Sequence, residues 1–444
     1  MEDHLLSAFT RAFKTPDLRR KLLFTLSIVV LFRLGSFVPT PNVDYNAVQT
    51  CIAGARDDAG SFLGMANLFS GGALLQLSIF ALGIMPYITA SIIVQLLTVV
   101  IPRFEALKKE GQQGQAKMTQ YTRYLTIALA VLQSATFITF ARNPSQLFGN
   151  ASCTNILYRE SLPSILIMVL TMTAGTGLIM WLGELITDKG VGNGMSMLIF
   201  TSILATFPGA LWGIQQREGR WDIFFLVILI GLLIITAVVF VEQSQRRIPV
   251  QYAKRMVGRQ MYGGTSTYIP IKVNMANVIP VIFASSMLSL PMMVAQFRQD
   301  PAGNNSGWVN WLVTNFNPGN PTWVYVVVFT AMILFFTFFY VSITFNPTEV
   351  ADNMKKYGGF IPGIRAGRPT AEYLNYVLSR ITVAGAIYLA LVSLIPIIAL
   401  VLIGATQSFP FGGTSILIMV GVGLETVKQI ESQLQQRHYE GFLR

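Results

Sequence analysis

Few residues of this 444-residue chain are of the types that carry out covalent chemistry. The two histidines, His4 and His438, lie near the ends of the sequence, and no Walker A, HExxH or GxSxG pattern is present. The two cysteines, Cys51 and Cys153, show neither the CxxC nor the Cys/His spacing of a metal site. We therefore predict that the chain is not an enzyme and holds no metal or organic cofactor, so that any driving energy comes from a partner.

The carboxylates are also placed unfavourably for ion-coupled transport. A proton-coupled transporter needs a carboxylate within the membrane bundle, whereas Glu184, Asp188, Glu242 and Glu349 all lie near predicted cytoplasmic helix ends. A secondary transporter for a small solute, coupled to sodium through backbone carbonyls, stays open as the alternative to a passive conduit. Arg33 is the one formal charge deep in a predicted span, where it has a function, snorkels to the membrane interface or bonds carbonyls of a neighbouring helix.

The composition predicts an all-α integral membrane protein. With 52% apolar and 12% charged residues and a mean hydropathy of +0.54, the chain has too little polar surface to cover a soluble globule. The first 21 residues carry scattered charge and lead into a full-length span, so we expect no cleavable signal peptide. Apolar runs that match the thickness of a bilayer lie near 22–40, 74–101, 121–141, 162–186, 195–212, 223–241, 274–297, 323–345, 380–403 and 411–426.

The distribution of basic residues predicts how these runs cross the membrane. If the N-terminus is cytoplasmic, most of the 32 Lys and Arg residues fall in cytoplasmic segments, and the basic C-terminal tail requires an even number of spans. We predict ten transmembrane helices with both termini in the cytoplasm. They divide into two halves of five, 1–213 and 223–444, and an odd number per half gives the halves opposite orientations, as in a pseudo-symmetric pair.

A short apolar stretch, SFLGMANLFSGG, follows the first span at 61–72. It is too short to cross a bilayer, so it either lies at the interface or re-enters the bundle, and both alternatives stay open on these grounds. Pro86, in the second span, lacks a backbone N–H, and we expect the helix to kink there unless neighbouring groups or water satisfy the freed carbonyl. Cys51 and Cys153 both fall in outside segments, where a disulfide between them is an open hypothesis.

Two cytoplasmic segments concentrate positive charge. Segment 242–272 carries six basic residues against the single acid Glu242, and its alternating pattern with Gly263-Gly264 predicts a protruding hairpin. Segment 346–380 has a similar size and is also basic. This charge either reflects membrane topology alone or also attracts the phosphates of RNA, because Lys and Arg contacts to phosphate release counterions.

Several long segments resemble the SecY family of protein-conducting channels in their order and spacing. The similarity runs over nearly the whole chain and is lowest in the outside loops 142–160 and 298–322. The segments that carry it are FSGGALLQLSIFALGIMPYITASIIVQLLTVV (69–100), KKEGQQGQAKMTQYTRY (108–124), WLGELITDKGVGNGMSMLIF (181–200), QRRIPVQYAKRMVGRQMYGGTSTYIPIKVNMANVIPVIFASS (245–286), FNPTEVADNMKKYGGFIPGIR (345–365) and FPFGGTSILI (409–418).

The resemblance implies a ten-helix hourglass in the plasma membrane that passes unfolded preproteins and releases membrane segments sideways into lipid. It implies a re-entrant plug helix at about 62–72 and an aliphatic ring at mid-membrane, which would dewet and block ions yet yield around a passing chain. Met195 departs from the commoner isoleucine, but its flexible side chain can fill the ring. The ring residues are Ile84, Ile88, Met195, Ile199, Ile282 and Ile418, and the plug residues are Phe62, Leu63, Met65, Asn67, Leu68, Phe69, Ser70, Gly71 and Gly72.

The resemblance also implies a lateral gate, between spans 2 and 3 on one side and spans 7 and 8 on the other, where signal peptides meet the lipid bilayer. The two basic loops, 242–272 and 346–380, would dock the ribosome through its RNA phosphates or the motor ATPase SecA, and the small subunits SecE and SecG would be partners. The polar gate residues are Gln95, Asn274, Asn277, Ser285 and Ser286, and the docking residues are Lys254, Arg255, Arg259, Lys355, Lys356 and Arg365.

Overall fold

The computed structural model describes residues 15–54, 70–142, 156–218, 221–252, 255–257, 260–262, 266–297, 306–316, 322–403 and 413–442. In chain order the helices are α1 (Pro16–Gly35), α2 (Tyr45–Gly54), α3 (Met85–Val100), α4 (Pro102–Lys109), α5 (Gln112–Arg142), α6 (Leu162–Lys189), α7 (Gly194–Glu218), α8 (Trp221–Gln243), α9 (Ile279–Phe297), α10 (Gly307–Asn315), α11 (Trp323–Thr344), α12 (Pro347–Lys356), α13 (Arg368–Ile403) and α14 (Gly413–Phe442). The strands are β1 (Gln245–Tyr252), β2 (Arg255–Val257), β3 (Gln260–Tyr262), β4 (Ser266–Lys272) and β5 (Gly359–Phe360).

Each predicted apolar run overlaps one of these helices, which confirms the all-α class. Four of the described segments are long and apolar enough to cross a membrane on their own: 162–189, 224–243, 323–356 and 368–395. The helices α3 and α4 make a fifth if they count as one span, although they are bent by 100° relative to each other. The chain is therefore a multi-pass membrane protein, and the count of ten crossings stays a prediction.

The second predicted span does not form one helix. Residues 71–84 are turns and α3 begins at Met85, so the prediction of a helix that starts near 74 and kinks at Pro86 is wrong. Pro86 instead occupies the first turn of α3, where its missing N–H would have no helical partner. The amide of Ile79 donates to the carbonyl of Val38 at 2.9 Å, so the chain just after α1 satisfies part of this irregular backbone. Irregular backbone is tolerated at membrane depth only where protein covers it in this way.

Helix packing brings the two predicted halves together along two sides. In the N-terminal half α5 contacts α3 and α6, and in the C-terminal half α11 contacts α9 and α13. Between the halves, α7 and α14 pack together on one side and α3 meets α9 on the other. Arg123 of α5 fixes α6 through two 2.8 Å bonds from Nε and Nη2 to the carboxylate of Glu184, so this acid is already neutralised by a partner.

A small antiparallel sheet joins the two basic segments, 242–272 and 346–380. β1 pairs with β4, which confirms the predicted hairpin, and β1 also pairs with β5 from the second segment, giving the order β4-β1-β5. Ile248 and Val250 alternate inward along β1 and pack with Leu374 of α13 in a separate apolar cluster. The two predicted loops are therefore one structural unit on a shared core.

The segments that precede α2 and α6 are joined by two hydrogen bonds. Asn42 Nδ2 donates to the carbonyl of Arg159 at 2.7 Å, and the amide of Arg159 donates back to Asn42 Oδ1 at 3.0 Å. Cys51, buried in α2, is bonded in a disulfide. Cys153, the other cysteine of the sequence, lies outside the described residues.

Candidate pore and lateral opening

The six predicted ring residues come together in one apolar cluster. Five of them are buried, with 1% to 9% of their surface exposed, and Ile88 is half-buried and packs against the same cluster. The cluster draws on both halves of the chain, because it also contains Leu198 of α7 and Ile333 of α11. The members from the predicted ring are Ile84, Ile88, Met195, Ile199, Ile282 and Ile418.

The helix starts explain how residues far apart in sequence reach this cluster. Ile84 is the cap residue before α3, and Met195 and Ile282 lie in the first turns of α7 and α9. The amide of Met195 is held by Asn193 Oδ1 at 3.1 Å, an acceptor that caps the start of α7. Each of these three residues therefore lies at or near the start of a helix and contributes its apolar side chain to the cluster.

The end of the predicted plug contacts Arg33, the charged residue within a predicted span whose role the sequence leaves open. Arg33 lies in the last turn of α1, and its Nη1 donates to the carbonyl of Gly71 at 2.9 Å. Gly71 has φ +67°, a backbone conformation that favours glycine, and a Cβ placed there would lie 2.5 Å from Arg33 Nη1, so the end of that side chain would have to move. Buried Ser70 accepts the amide of Leu74 through Oγ at 3.0 Å. The remaining plug residues, Phe62, Leu63, Met65, Asn67, Leu68 and Phe69, lie outside the described residues.

A cavity of about 360 Å³ opens between the two halves where the lateral gate is predicted. One wall belongs to α3 and α5 and the other to α9 and α11. Gln95, one of the predicted gate residues, lines it. The polar lining residues that the sequence reasoning missed are Tyr87, Ser91, Thr98, Lys108, Gln115, Thr119, Thr122, Tyr340 and Thr344.

A pattern in the sequence could have found part of this lining. Tyr87, Ser91, Gln95 and Thr98 recur every three or four residues along α3, so they form a polar stripe on one face of an otherwise apolar helix. The opposite wall is mixed, because Phe283 and Phe339 face the stripe together with Tyr340. A groove with one polar wall and one wall of mixed aromatic and polar residues suits an amphipathic or weakly apolar segment better than a small ion.

The other predicted gate residues lie elsewhere on or before α9. Asn274 is buried, and its Nδ2 donates to Glu242 Oε1 at 2.6 Å and to the carbonyl of Asn277 at 3.1 Å. Ser285 Oγ bonds the carbonyl of Ile282 within its own helix, and Ser286 is buried. None of these four residues lines the cavity between the described helices. The Asn274 contacts instead shape the chain that leads into α9.

The predicted docking residues are exposed wherever their side chains are described. Lys355 and Lys356 end α12, and Arg365 lies in the turn that follows β5. The backbone of Arg255 belongs to β2, and Lys254 and Arg259 lie outside the described residues. The shared sheet therefore brings basic side chains of the second segment next to the hairpin of the first.

Comparison with known proteins agrees with this architecture. The SecY family model matches residues 78–427 of the chain. The protein translocase subunit SecY of Streptomyces galbus is 65% identical over 444 residues, covering 99% of this chain and 100% of the relative. The protein of the same name from Mycobacterium tuberculosis (strain ATCC 25618 / H37Rv) is 57% identical over 446 residues, with the same coverage.

Solved structures show the same fold at much lower identity. A structure described as a protein conducting channel matches with a TM-score of 0.58 at 17% identity, covering 93% of this chain and 91% of that one. Sec61 in the canine ribosome-channel complex from the endoplasmic reticulum matches with a TM-score of 0.55 at 16% identity, with the same coverage. These matches extend over both halves of the chain, so the arrangement of helices is shared as a whole.

Proposed function

This chain belongs to the SecY family, and from that premise we propose that it is the channel-forming subunit of a protein translocase. It passes unfolded preproteins across the plasma membrane and releases apolar segments sideways into lipid. It is a channel and not an enzyme, so partners supply the driving energy. The observation that carries the proposal is the gathering of aliphatic residues from α3, α7, α9 and α14 within one apolar cluster, beside a cavity between the halves.

The aliphatic side chains of this cluster would seal the channel. A constriction without polar groups offers an ion no ligand to replace its hydration shell, whereas aliphatic side chains adapt to an extended polypeptide of any sequence. Ile84, Ile199 and Ile418 are almost fully buried here, which is what a closed channel requires. A polar lining would hold back the cargo or pass ions.

The plug would close the same path from the outer side. Its support is the placement of Ser70 and Gly71 inside the bundle, where Ser70 is buried and Gly71 contacts α1 through Arg33. A segment that ends at this depth favours re-entry over a position at the membrane interface.

The cavity would receive the signal peptide. It lies between α3 with α5 and α9 with α11, which are the helices that must separate if a segment is to leave sideways. The polar stripe around Gln95 fits the polar backbone of a chain that has not yet folded, and Phe283 and Phe339 fit its apolar side chains.

The joined cytoplasmic sheet and loops would dock the partners. Exposed Lys355, Lys356 and Arg365 would contact ribosomal RNA phosphates or SecA, and SecE and SecG would surround the bundle. Both termini would lie in the cytoplasm, on the same side as these loops. A secondary transporter is less well supported, because Glu242 is the one buried acid among the described side chains and it lies one residue before the end of α8.

Crosslinking of a stalled preprotein tests the function directly. A photoreactive amino acid is placed at 84, 199, 282 or 418 in the reconstituted translocase, and at the lipid-exposed Leu229 or Leu232 of α8 as matched controls. We expect crosslinks from the four inner positions and none from α8. A solute transporter would give no crosslinks at any of them, and equal yields at all positions would remove the assigned path.

A further inference from the structure

A hydrogen bond crosses the cytoplasmic mouth of the cavity and joins the two halves. Lys108 of α4 donates from Nζ to the carbonyl of Ile343, in the last turn of α11, at 3.2 Å. Both residues line the cavity, Lys108 from the side of α3 and α5 and Ile343 from the side of α9 and α11. The bond therefore spans the line along which the lateral opening would widen.

The carbonyl of Ile343 has no helical amide donor because of the residue four positions later. In a continuing helix it would accept the amide of residue 347, but that residue is Pro347, which has no N–H. α11 ends at Thr344, and its final carbonyls carry the negative end of the helix dipole, which favours a cation. The ammonium group of Lys108 supplies both the missing donor and the charge.

The backbone of Lys108 is held in place because α4 packs closely against α5. α4 is bent by 100° from α3 and begins with Pro102, which directs it across the end of the cavity. Leu107 is buried, and its carbonyl lies so close to Gly114 that a Cβ there would overlap it. α4 is thus held tightly against α5 and presents the next residue, Lys108, to α11.

We propose that Lys108 is a positioning residue of the lateral opening, a latch that holds α4 to the end of α11. The strength of this contact sets how tightly a signal segment must bind before the two halves separate. The inference rests on the proposed function and deepens it. A segment that enters the cavity must separate α5 from α11, and this separation breaks the Lys108 bond to Ile343. Weakly binding signal segments are therefore rejected while strongly binding ones pass.

Lys109 offers a matched control. It carries the same charge on the adjacent residue of the same exposed helix, but it pairs within α4 with Glu105 at 2.7 Å. Lys108→Gln and Lys109→Gln therefore remove equal charge from the same surface, and only the first removes the bond between the halves. Lys108→Arg keeps a cationic donor at the position.

The test compares export of one preprotein carrying either a strong or a weakened signal segment, using the translocase with its partners in proteoliposomes. We expect Lys108→Gln to raise export of the weak-signal preprotein by roughly fivefold, the factor that follows from losing one exposed charged hydrogen bond. Lys109→Gln and Lys108→Arg should match the unmodified chain. Equal behaviour of Lys108→Gln and Lys109→Gln would overturn the latch, whereas failure of the unmodified chain to export either preprotein would overturn the proposed function instead.

A second measurement does not depend on transport. Spin labels at the exposed positions of Tyr124 on α5 and Phe338 on α11 report the separation of the two walls without any cargo. We expect Lys108→Gln to shift the distance distribution towards longer separations, and Lys109→Gln to leave it unchanged. Identical distributions for the two variants would also overturn the proposal.

Discussion

The contact between Arg33 and Gly71 yields a prediction that can be worked out from the structure. Arg33→Leu removes the guanidinium that donates to the carbonyl of Gly71 at 2.9 Å. A hydrogen bond from a charged donor is worth about 1.5–3 kcal/mol, and Arg33 is half-buried, so the lower end of this range applies. About 1.4 kcal/mol changes an equilibrium constant tenfold, and we therefore expect the equilibrium between the closed and the open channel to shift about tenfold towards the open state.

The assay is the ion conductance of the purified translocase in a planar bilayer without cargo. The fraction of time spent conducting should rise about tenfold in Arg33→Leu, since leucine keeps α1 apolar and helical. Arg142→Leu is the control, because Arg142 is an exposed arginine that pairs with Glu160 outside the bundle at 3.3 Å. Unchanged conductance in Arg33→Leu, with the protein folded, would refute the role assigned to this contact.

Gly71→Ala separates the contact from a general loss of stability. Alanine at φ +67° costs about 1–2 kcal/mol, and its Cβ would also collide with Arg33 Nη1 at 2.5 Å. The collision disappears when leucine replaces Arg33, whereas the backbone cost stays. We therefore expect the effects of the two substitutions on conductance to be non-additive in a double-mutant cycle, and strict additivity would show that the two residues do not act on each other.

Two further predictions concern the seal and the docking surface. Ile282→Asn combined with Ile418→Asn should make proteoliposomes leak ions, because buried amides bind water in the constriction. Leu232→Asn, on the exposed face of α8, should cause no leak. Equal leakage from the double variant and from Leu232→Asn would contradict the seal. Arg365→Glu should weaken ribosome binding and lower the slope of log affinity against log salt concentration by about one or more, as expected for a lost phosphate contact. Arg368→Glu should have a smaller effect, because Arg368 is paired with Glu372 in its own helix. A larger effect of Arg368→Glu would remove Arg365 from the docking surface.

Much of the architecture could be predicted because it depends on local composition. Apolar runs gave the helices, since a membrane helix must be apolar over its whole length. The alternation around Ile248 and Val250 gave the hairpin, because its two faces meet different surroundings. The aliphatic cluster could not be derived this way. An isoleucine that faces a pore and one that faces lipid look alike in sequence, and only the family resemblance selected Ile84 and Ile282.

The features that escaped prediction depend on contacts between distant residues. Residues 71–84 are as apolar as a helix, yet they form turns, and backbone hydrogen bonds join Ile79 to Val38 and Thr40 to Leu77 in the chain just after α1. Asn274 was assigned to the gate as a polar residue of a gate helix, yet Glu242 is its partner. The stripe that includes Gln95 was the one missed feature with a local signature, since polar residues repeat along one face of α3.

The two cation contacts share a physical cause. Gly71 lies in the turns that precede α3 and Ile343 lies in the last turn of α11, and each carbonyl accepts a hydrogen bond from a cationic side chain of another helix. A long cationic side chain can reach such a carbonyl from another helix, in a part-buried position at Gly71 and in an exposed position at Ile343. One such bond contributes far less than a continuous helix, so it can be broken at a cost of a few kcal/mol or less while every helix stays intact. Arg33 holds the segment that leads into α3, and Lys108 holds α4 to the end of α11. These two contacts, which break at low cost in free energy, therefore lie where the bundle would have to open for a polypeptide.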